Sequence, residues 1–273
     1  MDLAFTEDEV RRYSRHILLA EVGGTGQARL KQARVLVVGA GGLGSPVLLY
    51  LAAAGVGTLG LVDDDVVEIS NLQLQIAHST ASLGVAKVTS AAAAARAINP
   101  GVNVIEHGLR IGPDNALGLF AEYDIICDGT DNFGTRFLIA DASVIARRTL
   151  VSAAVLRFEG QLSVFKPHAG PDCPCYRCLY PEPPPVGMVP TCSEAGVLGA
   201  VTGVMGTLQA TEVLKEILGI GESLAGRLLI WDALATRFRT VKLRRDPQCR
   251  ACAETAGLHD LSGHVATDPA CAV

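Results

Sequence analysis

Residues 35–65 read VLVVGAGGLGSPVLLYLAAAGVGTLGLVDDD, and this stretch decides the fold of the chain. It opens on a short apolar run rich in β-branched residues, which is typical of a strand buried on both faces. The glycine pattern G-x-G-x-x-G follows at once, and Pro46 stands where a helix would begin. A second apolar strand, residues 58–62, ends at Asp63. The stretch therefore predicts a strand, a glycine turn, a helix and a second strand.

This unit has the residues that nucleotide binding requires. Gly39, Gly41 and Gly44 let backbone N–H groups approach a phosphate without a Cβ in the way. The helix N-terminus behind them adds roughly half a positive charge. Asp63, at the end of the second strand, can accept hydrogen bonds from ribose hydroxyls. The alternative is a plain turn in an α/β core, and these residues leave open which nucleotide binds.

The composition narrows the class of protein. The 273 residues carry a formal net charge of −5 and no basic run, which argues against nucleic acid as the main partner. The N-terminus, MDLAFTEDEV, is acidic where a signal peptide would be basic and apolar. The apolar stretches 47–62 and 195–211 contain glycines and are shorter than the ~20 residues of a membrane span. We therefore expect a soluble cytoplasmic protein with no membrane partner, whose eight cysteines serve thiol or metal chemistry.

Strands and helices alternate along residues 34–165, which predicts an α/β fold with a doubly wound, mostly parallel, Rossmann-like sheet. A C-terminal antiparallel pair, residues 227–232 and 237–243, is expected to extend this sheet. Ligands bind at the carboxyl ends of such strands, so the glycine loop, residues 63–65 and residues 128–132 should line one cleft. We also expect a glycine-rich break at 21–27 and helices at 82–97 and 114–121. A further helix of small residues is predicted at 197–218, and it either lies in the core or pairs two subunits.

Four of the cysteines form two C-x-x-C pairs, Cys175 with Cys178 and Cys249 with Cys252. Two such pairs are the ligand set of a structural zinc site, in which each pair holds the ion from a tight turn. Because the pairs are far apart in sequence, the metal would connect the late strands to the body of the protein. The alternative is a redox C-x-x-C, which a single motif would support but a matched pair does not.

The roles of the remaining cysteines and of one histidine are less determined. Cys173 could replace a ligand of the first pair, or His168 could contribute to the site. Cys127 falls in a predicted buried strand, where an inert core thiol is expected. Cys192 stands at the mouth of a helix, a place that favours a nucleophilic thiolate. Cys192 is therefore either a reactive or a structural cysteine.

Eight short segments follow one another along the chain: RYSRHILL, GAGGLGSP, VDDDVVEISNLQLQ, GVAKV, DGTDN, CYRC, TCSEAGV and CRAC. Together they cover nearly everything from Arg12 to Cys252. In this order they resemble the ThiF/MoeB/HesA family, the bacterial relatives of ubiquitin-activating enzymes. The glycines alone would be unspecific, whereas the full set is highly specific.

The resemblance implies ATP-dependent adenylation of the C-terminal Gly-Gly carboxylate of a small ubiquitin-like sulfur-carrier protein. Pyrophosphate would be released, and the adenylate would later become a thiocarboxylate. The resemblance also implies a homodimer that uses ATP and Mg²⁺, in addition to the structural Zn²⁺ that the cysteine pairs predict. The adenylation domain would span residues 1–252, with N-terminal helices (1–33), a nucleotide-binding core (34–165) and a zinc and crossover-loop part (166–252). The small and polar residues 253–273 are expected to form a disordered tail.

Roles for individual residues follow from the same resemblance. Gly42 and its loop would contact ATP, and Asp63 would hold the ribose. The implied catalytic residues are Arg15, supplied across the homodimer, Lys87, Asp131, which would hold Mg²⁺, and Cys192. The implied nucleotide-binding residues are Gly39, Gly41, Gly42, Gly44, Asp63, Asp65, Ser70, Asn71, Gln75, Lys87, Thr130, Asp131 and Asn132.

One position departs from the family pattern. The family usually has N-x-x-R-Q from Asn71 onward, and Leu74 stands here in place of the arginine. Either a phosphate-facing cation has been lost, or another residue such as Arg12 or Arg96 takes its place. We expect adenylation with weakened ATP affinity or rate, and a non-catalytic binding subunit is an open alternative.

The same fold would also serve a different carboxylate substrate or a different reaction. The carboxylate could belong to a peptide or a tRNA, although the lack of a basic run disfavours the RNA version. A zinc-containing nicotinamide dehydrogenase would explain the glycines and cysteines but not the motifs TDN and ISNLQLQ. Because the chain ends soon after the second cysteine pair, we expect a separate sulfur donor: a rhodanese-like protein, a desulfurase or a small molecule.

Overall fold

The computed structural model of the chain describes residues 5–185, 188 and 195–264. Its strands are β1 (Arg34–Val38), β2 (Thr58–Val62), β3 (Asn103–His107), β4 (Ile125–Asp128), β5 (Thr149–Leu156), β6 (Glu159–Phe165), β7 (Arg227–Asp232) and β8 (Arg237–Lys242). They form one sheet in the order β3-β2-β1-β4-β5-β6-β7-β8. Strands β1 to β5 are parallel, and the pairs β5–β6, β6–β7 and β7–β8 are antiparallel. The predicted fold class is confirmed.

Helices cover both faces of this sheet, as in a doubly wound fold. They are α1 (Glu7–Ile17), α2 (Gly23–Gln32), α3 (Gly44–Ala54), α4 (Lys87–Ile98), α5 (Ala116–Ala121), α6 (Phe133–Ile145), α7 (Tyr176–Leu179) and α8 (Gly199–Leu218). One hydrophobic core contains side chains of α3, α4 and α8, and a second contains those of α5, α6 and α7. No helix in the described part of the chain is long and apolar enough to cross a membrane.

The strand register brings three chain segments to one place. Val38, the last residue of β1, is paired with Val62 of β2 and with Asp128 of β4. The segments that follow these three residues therefore leave the sheet side by side at its carboxyl edge. They are the glycine loop, the acidic cluster after β2, and the motif DGTDN, which confirms that the three segments share one edge.

Local sequence explains where the first helices begin and end. Helix α1 begins at a capping box in which the Thr6 hydroxyl accepts the Glu9 N–H at 3.2 Å and the Glu9 carboxylate accepts the Thr6 N–H at 2.9 Å. Helix α3 ends at Gly55, whose φ of +81° strains any residue with a Cβ. Residues next to each terminus therefore set these two helix ends.

The small residues of α8 bury this helix in the protein core. A Cβ on Gly206 would lie 2.4 Å from Pro46 Cγ, so α8 packs closely against the start of α3. Buried Gln209 donates hydrogen bonds from its Nε2 to the carbonyl oxygens of Asp128 at 2.9 Å and Val151 at 2.8 Å. Of the two expectations for this helix, the structure therefore supports a core position.

Two predicted boundaries are wrong. Helix α2 begins at Gly23, inside the predicted glycine-rich break, because Leu30 and Gln27 on its inner face are fully buried and hold the helix against the body. Helix α4 begins at Lys87 instead of residue 82. The preceding residues are held in a loop, since the Lys87 N–H donates to the Asp65 carbonyl and the Val67 N–H to the Val85 carbonyl, both at 2.9 Å.

The segment 253–264 departs from the predicted disordered tail. Leu261 is only 3% exposed and belongs to the core beside α5 and α6. His264 Nε2 lies 2.8 Å from a carboxylate oxygen of Asp141, which is buried on α6. Residues 265–273 lie outside the described residues, as does Cys192, so the expectations for both stay predictions.

Candidate functional site

The glycine loop after β1 forms a concave turn of free backbone donors. A Cβ on Gly44 would lie 1.8 Å from the Gly39 carbonyl oxygen, so only glycine fits this position. Gly39 has a φ of +94°, which favours glycine as well. The N–H groups of Gly41 and Gly42 have no hydrogen-bond acceptor within the described ranges. Two free donors at the N-terminus of α3 make a place where an anionic group can bind.

Asp63 holds this loop from the end of β2. Its two carboxylate oxygens accept the Ala40 N–H at 2.7 Å and the Asp65 N–H at 3.0 Å. Burial raises the pKa of the Asp63 carboxyl, while the positive charge of Lys87 and these two hydrogen bonds act in the opposite direction. Each oxygen has a second lone pair, so the carboxylate that orders the loop can also accept a ribose hydroxyl.

Lys87 supplies a cation at the same edge. Its side chain is only 9% exposed, and its Nζ lies 2.8 Å from a carboxylate oxygen of Asp65, which is 61% exposed. Burial of the lysine stem directs the ammonium group to the cleft, where Asp65 is its acidic partner among the described residues. The ammonium therefore lies beside the glycine loop and Asp63.

The segment after the acidic cluster presents amide side chains. Gln75 is buried and lies close to Gly41, and its Oε1 has no hydrogen-bond donor among the residues described. The Asn71 Oδ1 accepts the Glu68 N–H at 2.9 Å, which caps a short turn over Ile69–Asn71 and leaves its amide N–H₂ available. Ser70 is exposed. This segment therefore brings Gln75 beside the glycine loop, and the binding of ATP by Ser70, Asn71 and Gln75 stays a prediction.

The motif DGTDN divides into structural and exposed residues. Thr130 donates its hydroxyl and its N–H to Asp128 Oδ1 at 2.7 and 3.0 Å, so this side chain shapes the loop. Asn132 caps α6 by accepting the Thr135 N–H at 2.8 Å. Asp131 is exposed and makes no ion pair within the described part of the chain. Only Asp131 of this motif therefore offers a free carboxylate to the cleft.

A cavity of about 220 Å³ adjoins Asp131. Its walls come from Arg136 of α6, from β5 and β6, and from the aromatic rings at α7. Arg136 donates two hydrogen bonds, at 3.1 and 2.7 Å, to the Thr130 carbonyl and so holds the motif beside the cavity. Tyr180 donates its hydroxyl to Gln161 at 2.6 Å on the far wall. Asp131 therefore belongs both to the motif DGTDN and to the wall of this cavity.

These features fit a bound nucleoside triphosphate. The free N–H groups of the loop match phosphate oxygens, Lys87 offsets their charge, and Asp63 suits a ribose. An exposed carboxylate such as Asp131 suits Mg²⁺, which binds proteins through few ligands and keeps several waters. The fold brings all of these groups to one edge of the sheet.

The four cysteines of the C-x-x-C pairs form one cluster. Their Sγ atoms all lie within 4.8 Å of one another. The Cys175–Cys178 distance is 3.8 Å, and Cys175–Cys249 and Cys178–Cys252 are both 3.5 Å. A tetrahedral zinc ion with bonds of about 2.3 Å to sulfur separates its ligand sulfurs by about 3.8 Å. The donor set and its spacing therefore fit structural zinc, while Cys173 and His168 lie outside the cluster.

A buried ion pair connects the cysteine cluster to helix α6. Arg177, between the first two cysteines, donates from Nε and from its second terminal nitrogen to both oxygens of Asp141 at 2.6 and 2.8 Å. The two side chains are 3% and 2% exposed. Helix α6, which carries Asp141, begins directly after the DGTDN motif. The ion pair therefore fixes the segment Cys175–Cys178 to a helix that borders the cleft.

Arg15 lies at the opposite edge of the sheet from the cleft. Tyr13, on the same helix, packs against Gly55 and accepts a hydrogen bond from Asn99 at 2.8 Å. Gly55 and Asn99 follow the C-terminal ends of α3 and α4, whose N-terminal ends carry the glycine loop and Lys87. A helix of that length spans about 16 Å, so Arg15 is far from the cleft of its own chain. It is exposed.

Leu74 packs on the glycine loop. A Cβ on Gly42 would lie 2.6 Å from Leu74 Cδ1. The two arginines considered as replacements lie elsewhere, so that part of the prediction is wrong. Arg12 donates to the Ile98 carbonyl at 2.8 Å, and Arg96 donates to Glu106 and to the Val104 carbonyl, both at 2.8 Å. Contacts at the C-terminal end of α4 hold both guanidinium groups.

The site residues implied by the resemblance omit several residues that order the cleft. Asp128, which is buried, accepts hydrogen bonds from Thr130 and from the Ser152 hydroxyl at 2.8 Å. Its position as the last residue of a buried strand was the available signal. Arg136 follows the helix cap by one turn, which also was a usable signal. His78 and Gln209 have no such local signal, because their partners are distant in sequence.

Curated relatives are similar over nearly the whole chain. MoeZ of Mycobacterium tuberculosis, described as a probable adenylyltransferase/sulfurtransferase, is 52% identical over 98% of this chain and 68% of its own length. Bovine MOCS3, an adenylyltransferase and sulfurtransferase, is 53% identical over 96% of this chain and 57% of its own length. The chain thus spans between about half and two thirds of these two relatives. A sulfur carrier protein adenylyltransferase of Thermus thermophilus is 47% identical over 95% of this chain and 96% of its own length.

A solved structure has the same fold. The crystal structure of E. coli MccB with ATP matches with a TM-score of 0.76 and 23% identity, over 88% of this chain and 74% of that chain. Similarity at this level of identity concerns the fold alone. The ThiF family model, in contrast, matches residues 13–251 of the sequence itself. The chain therefore belongs to the ThiF family.

Proposed function

We propose that this chain uses ATP to adenylate the C-terminal Gly-Gly carboxylate of a small ubiquitin-like sulfur-carrier protein. The observation that carries the proposal is the arrangement at the carboxyl edge of the sheet. The glycine loop lies against Gly129 and Thr130 of the motif DGTDN, and the next residue, Asp131, lines the 220 Å³ cavity. A nucleotide and an extended carboxylate-ended peptide would meet at that residue.

The reaction needs alignment and positive charge. A carboxylate oxygen of the carrier forms a bond to the α-phosphorus, and the bond from that phosphorus to the bridging oxygen breaks, so pyrophosphate leaves. The attacking carboxylate is already ionised, so no general base is required. Lys87 and the loop N–H groups would offset the charge of the phosphates. Asp131 would hold Mg²⁺, which would supply further positive charge for the departing pyrophosphate.

The family relatives support this reaction over its rivals. The names of MoeZ, MOCS3 and the Thermus protein all contain the term adenylyltransferase. A nicotinamide dehydrogenase would leave Lys87 and Asp131 without a task. A peptide or tRNA carboxylate as acceptor, and a binding-only subunit, stay as rival proposals. The six described cysteines form no disulfide, which supports our proposal of a cytoplasmic enzyme. We also propose that a separate protein or small molecule donates the sulfur.

ATP–pyrophosphate exchange tests the proposal. The chain is assayed with a Gly-Gly-ended carrier from the same organism, and with that carrier lacking its last glycine. We expect exchange that requires both the carrier and its terminal glycine. Exchange that ignores the missing glycine would favour another carboxylate, and bound ATP without exchange would favour a binding-only subunit.

Leu74→Arg is expected to raise kcat/KM for ATP. The leucine packs on the glycine loop, and the aliphatic stem of an arginine could replace that packing while its guanidinium extends to the phosphates. One charge-assisted hydrogen bond corresponds to about a tenfold gain. Leu74→Met, which has similar volume and no charge, is the control. An unchanged or lower kcat/KM for the arginine variant would contradict the expectation.

We further propose a homodimer in which Arg15 reaches the cleft of the other subunit. The support is its exposed position at the far edge of its own sheet, together with exposed Val10, Leu18 and Leu19 on and after the same helix. A mixture of Arg15→Ala and Lys87→Met chains tests this arrangement, since each pure variant should be inactive. In an equal mixture about half of the dimers contain one chain of each kind, and each of these dimers has one complete site out of two. Roughly a quarter of wild-type exchange should therefore return. No recovery after subunit exchange would show that Arg15 does not act across a dimer.

A further inference from the structure

His78 lies buried between the glycine loop and α4, and neither the family resemblance nor the proposed chemistry gives it a task. Only 8% of the residue is exposed. Its Nε2 lies 2.9 Å from the Ala40 carbonyl oxygen, and its Nδ1 lies 2.9 Å from the Ser90 hydroxyl. Ala40 is inside the glycine loop and Ser90 is on α4, so the imidazole joins two elements of the cleft.

The two contacts specify one tautomer. A carbonyl oxygen can only accept, so Nε2 carries the hydrogen that is donated to Ala40. Nδ1 then accepts the hydrogen of the Ser90 hydroxyl. Burial and the nearby charge of Lys87 lower the pKa of His78, although the Ala40 carbonyl opposes this shift. The neutral ring thus has a donor on one side and an acceptor on the other.

The contact with Ala40 fixes the direction of the neighbouring N–H. The Ala40 carbonyl and the Gly41 N–H belong to the same planar trans peptide, so they point in opposite directions. The hydrogen bond from His78 therefore turns the Gly41 N–H away from the imidazole. Asp63 holds the preceding peptide through the Ala40 N–H at 2.7 Å. Both peptides at Ala40 are fixed, and the Gly41 donor is left free.

The contact with Ser90 ties this loop to the lysine. Ser90 follows Lys87 by three residues on α4, so both side chains lie on the same side of the helix. A shift of α4 would move the lysine ammonium and the imidazole together. The N–H donors of the loop and the Lys87 cation are thereby held at a constant spacing, which is what simultaneous contact with one phosphate chain requires.

We propose that His78 is a positioning residue that orients the Gly41 N–H toward the nucleotide phosphates and keeps the glycine loop in register with Lys87. This inference rests on the proposed use of ATP, and it adds a specific residue to that site. It does not require His78 to touch the nucleotide.

The test uses two substitutions, each of which preserves one of the two hydrogen bonds that the imidazole makes. In His78→Gln the amide nitrogen can occupy the place of Nε2 and donate to Ala40. In His78→Asn the shorter amide reaches only the place of Nδ1 and Ser90. We expect His78→Asn to raise the KM for ATP by about tenfold while the KM for the carrier stays unchanged. His78→Gln should restore the KM for ATP to within about threefold of wild type. His168→Asn, far from the loop, is the matched control.

Three readouts separate the possible failures. Nucleotide affinity is measured directly by calorimetry, exchange kinetics give the two KM values, and thermal unfolding reports the fold. A wild-type chain that neither binds ATP nor supports exchange would contradict the proposed function itself. With an active wild type, an unchanged KM for ATP in His78→Asn, or an equal rise of both KM values in both variants, would overturn the positioning role. If His78→Asn fails to fold, His78→Leu decides, because it removes the donor to the Ala40 carbonyl while keeping a side chain in the buried space: an unchanged KM for ATP in that variant overturns the proposal.

Discussion

Lys87→Met is expected to lower kcat for pyrophosphate exchange by at least about a hundredfold. The lysine is 9% exposed and is the cation that the described part of the cleft provides beside the loop. Methionine keeps the unbranched stem and removes the charge, so the phosphates would lose the group that offsets their repulsion of the incoming carboxylate. Asp65, the lysine's partner, is 61% exposed and would stay solvated, so the fold should persist.

The measurement is exchange at saturating carrier, with thermal unfolding of the same sample. Lys166→Met is the matched control, because that lysine also forms an ion pair, with Glu216 at 2.7 Å, but lies away from the cleft. We expect the control to keep wild-type kcat and both variants to unfold near the wild-type temperature. Near-normal exchange in Lys87→Met would contradict the assignment of this residue to the phosphates.

Removal of zinc is expected to unfold the C-terminal part of the protein as well as stop the reaction. Structural zinc sites contribute about 10–16 kcal/mol, which is comparable with the whole stability of a domain, about 5–15 kcal/mol. Without the ion, four thiols within 4.8 Å of one another would have to stay packed with no metal to hold them. Cys249→Ser should therefore bind less than one zinc per chain and lower the unfolding midpoint by at least about 10 °C.

Zinc content by elemental analysis, unfolding curves and limited proteolysis around the CYRC motif check this expectation. Cys173→Ser is the control, because Cys173 is two residues from Cys175 and outside the cluster. It should keep one zinc per chain and the wild-type midpoint. A Cys249→Ser protein with full zinc content, or a chelated wild type with an unchanged midpoint, would contradict a structural four-cysteine site.

The fold was predictable because its determinants are local. The β-branched runs, the glycine turn and the regular alternation of strands and helices lie within short windows of sequence, and each limits its own segment. The two boundary errors, at α2 and α4, arose where tertiary contacts overrode local patterns. Burial of Leu30 stabilises helix α2 although its sequence is rich in glycine. The hydrogen bond from the Lys87 N–H to the Asp65 carbonyl keeps the preceding residues in a loop, so helix α4 begins only at Lys87.

The glycine loop, the acid after the second strand and the four cysteines could all be read from the sequence, because spacing along the chain defines each set. Tertiary packing decided which groups are free to act. It holds Arg12 and Arg96 away from the cleft and puts Arg15 at the opposite edge of the sheet. It also joins His78 to Ala40 across 38 residues of chain. Contacts between residues so far apart depend on how the strands and helices pack against one another. That packing cannot be derived from the spacing of residues along the chain.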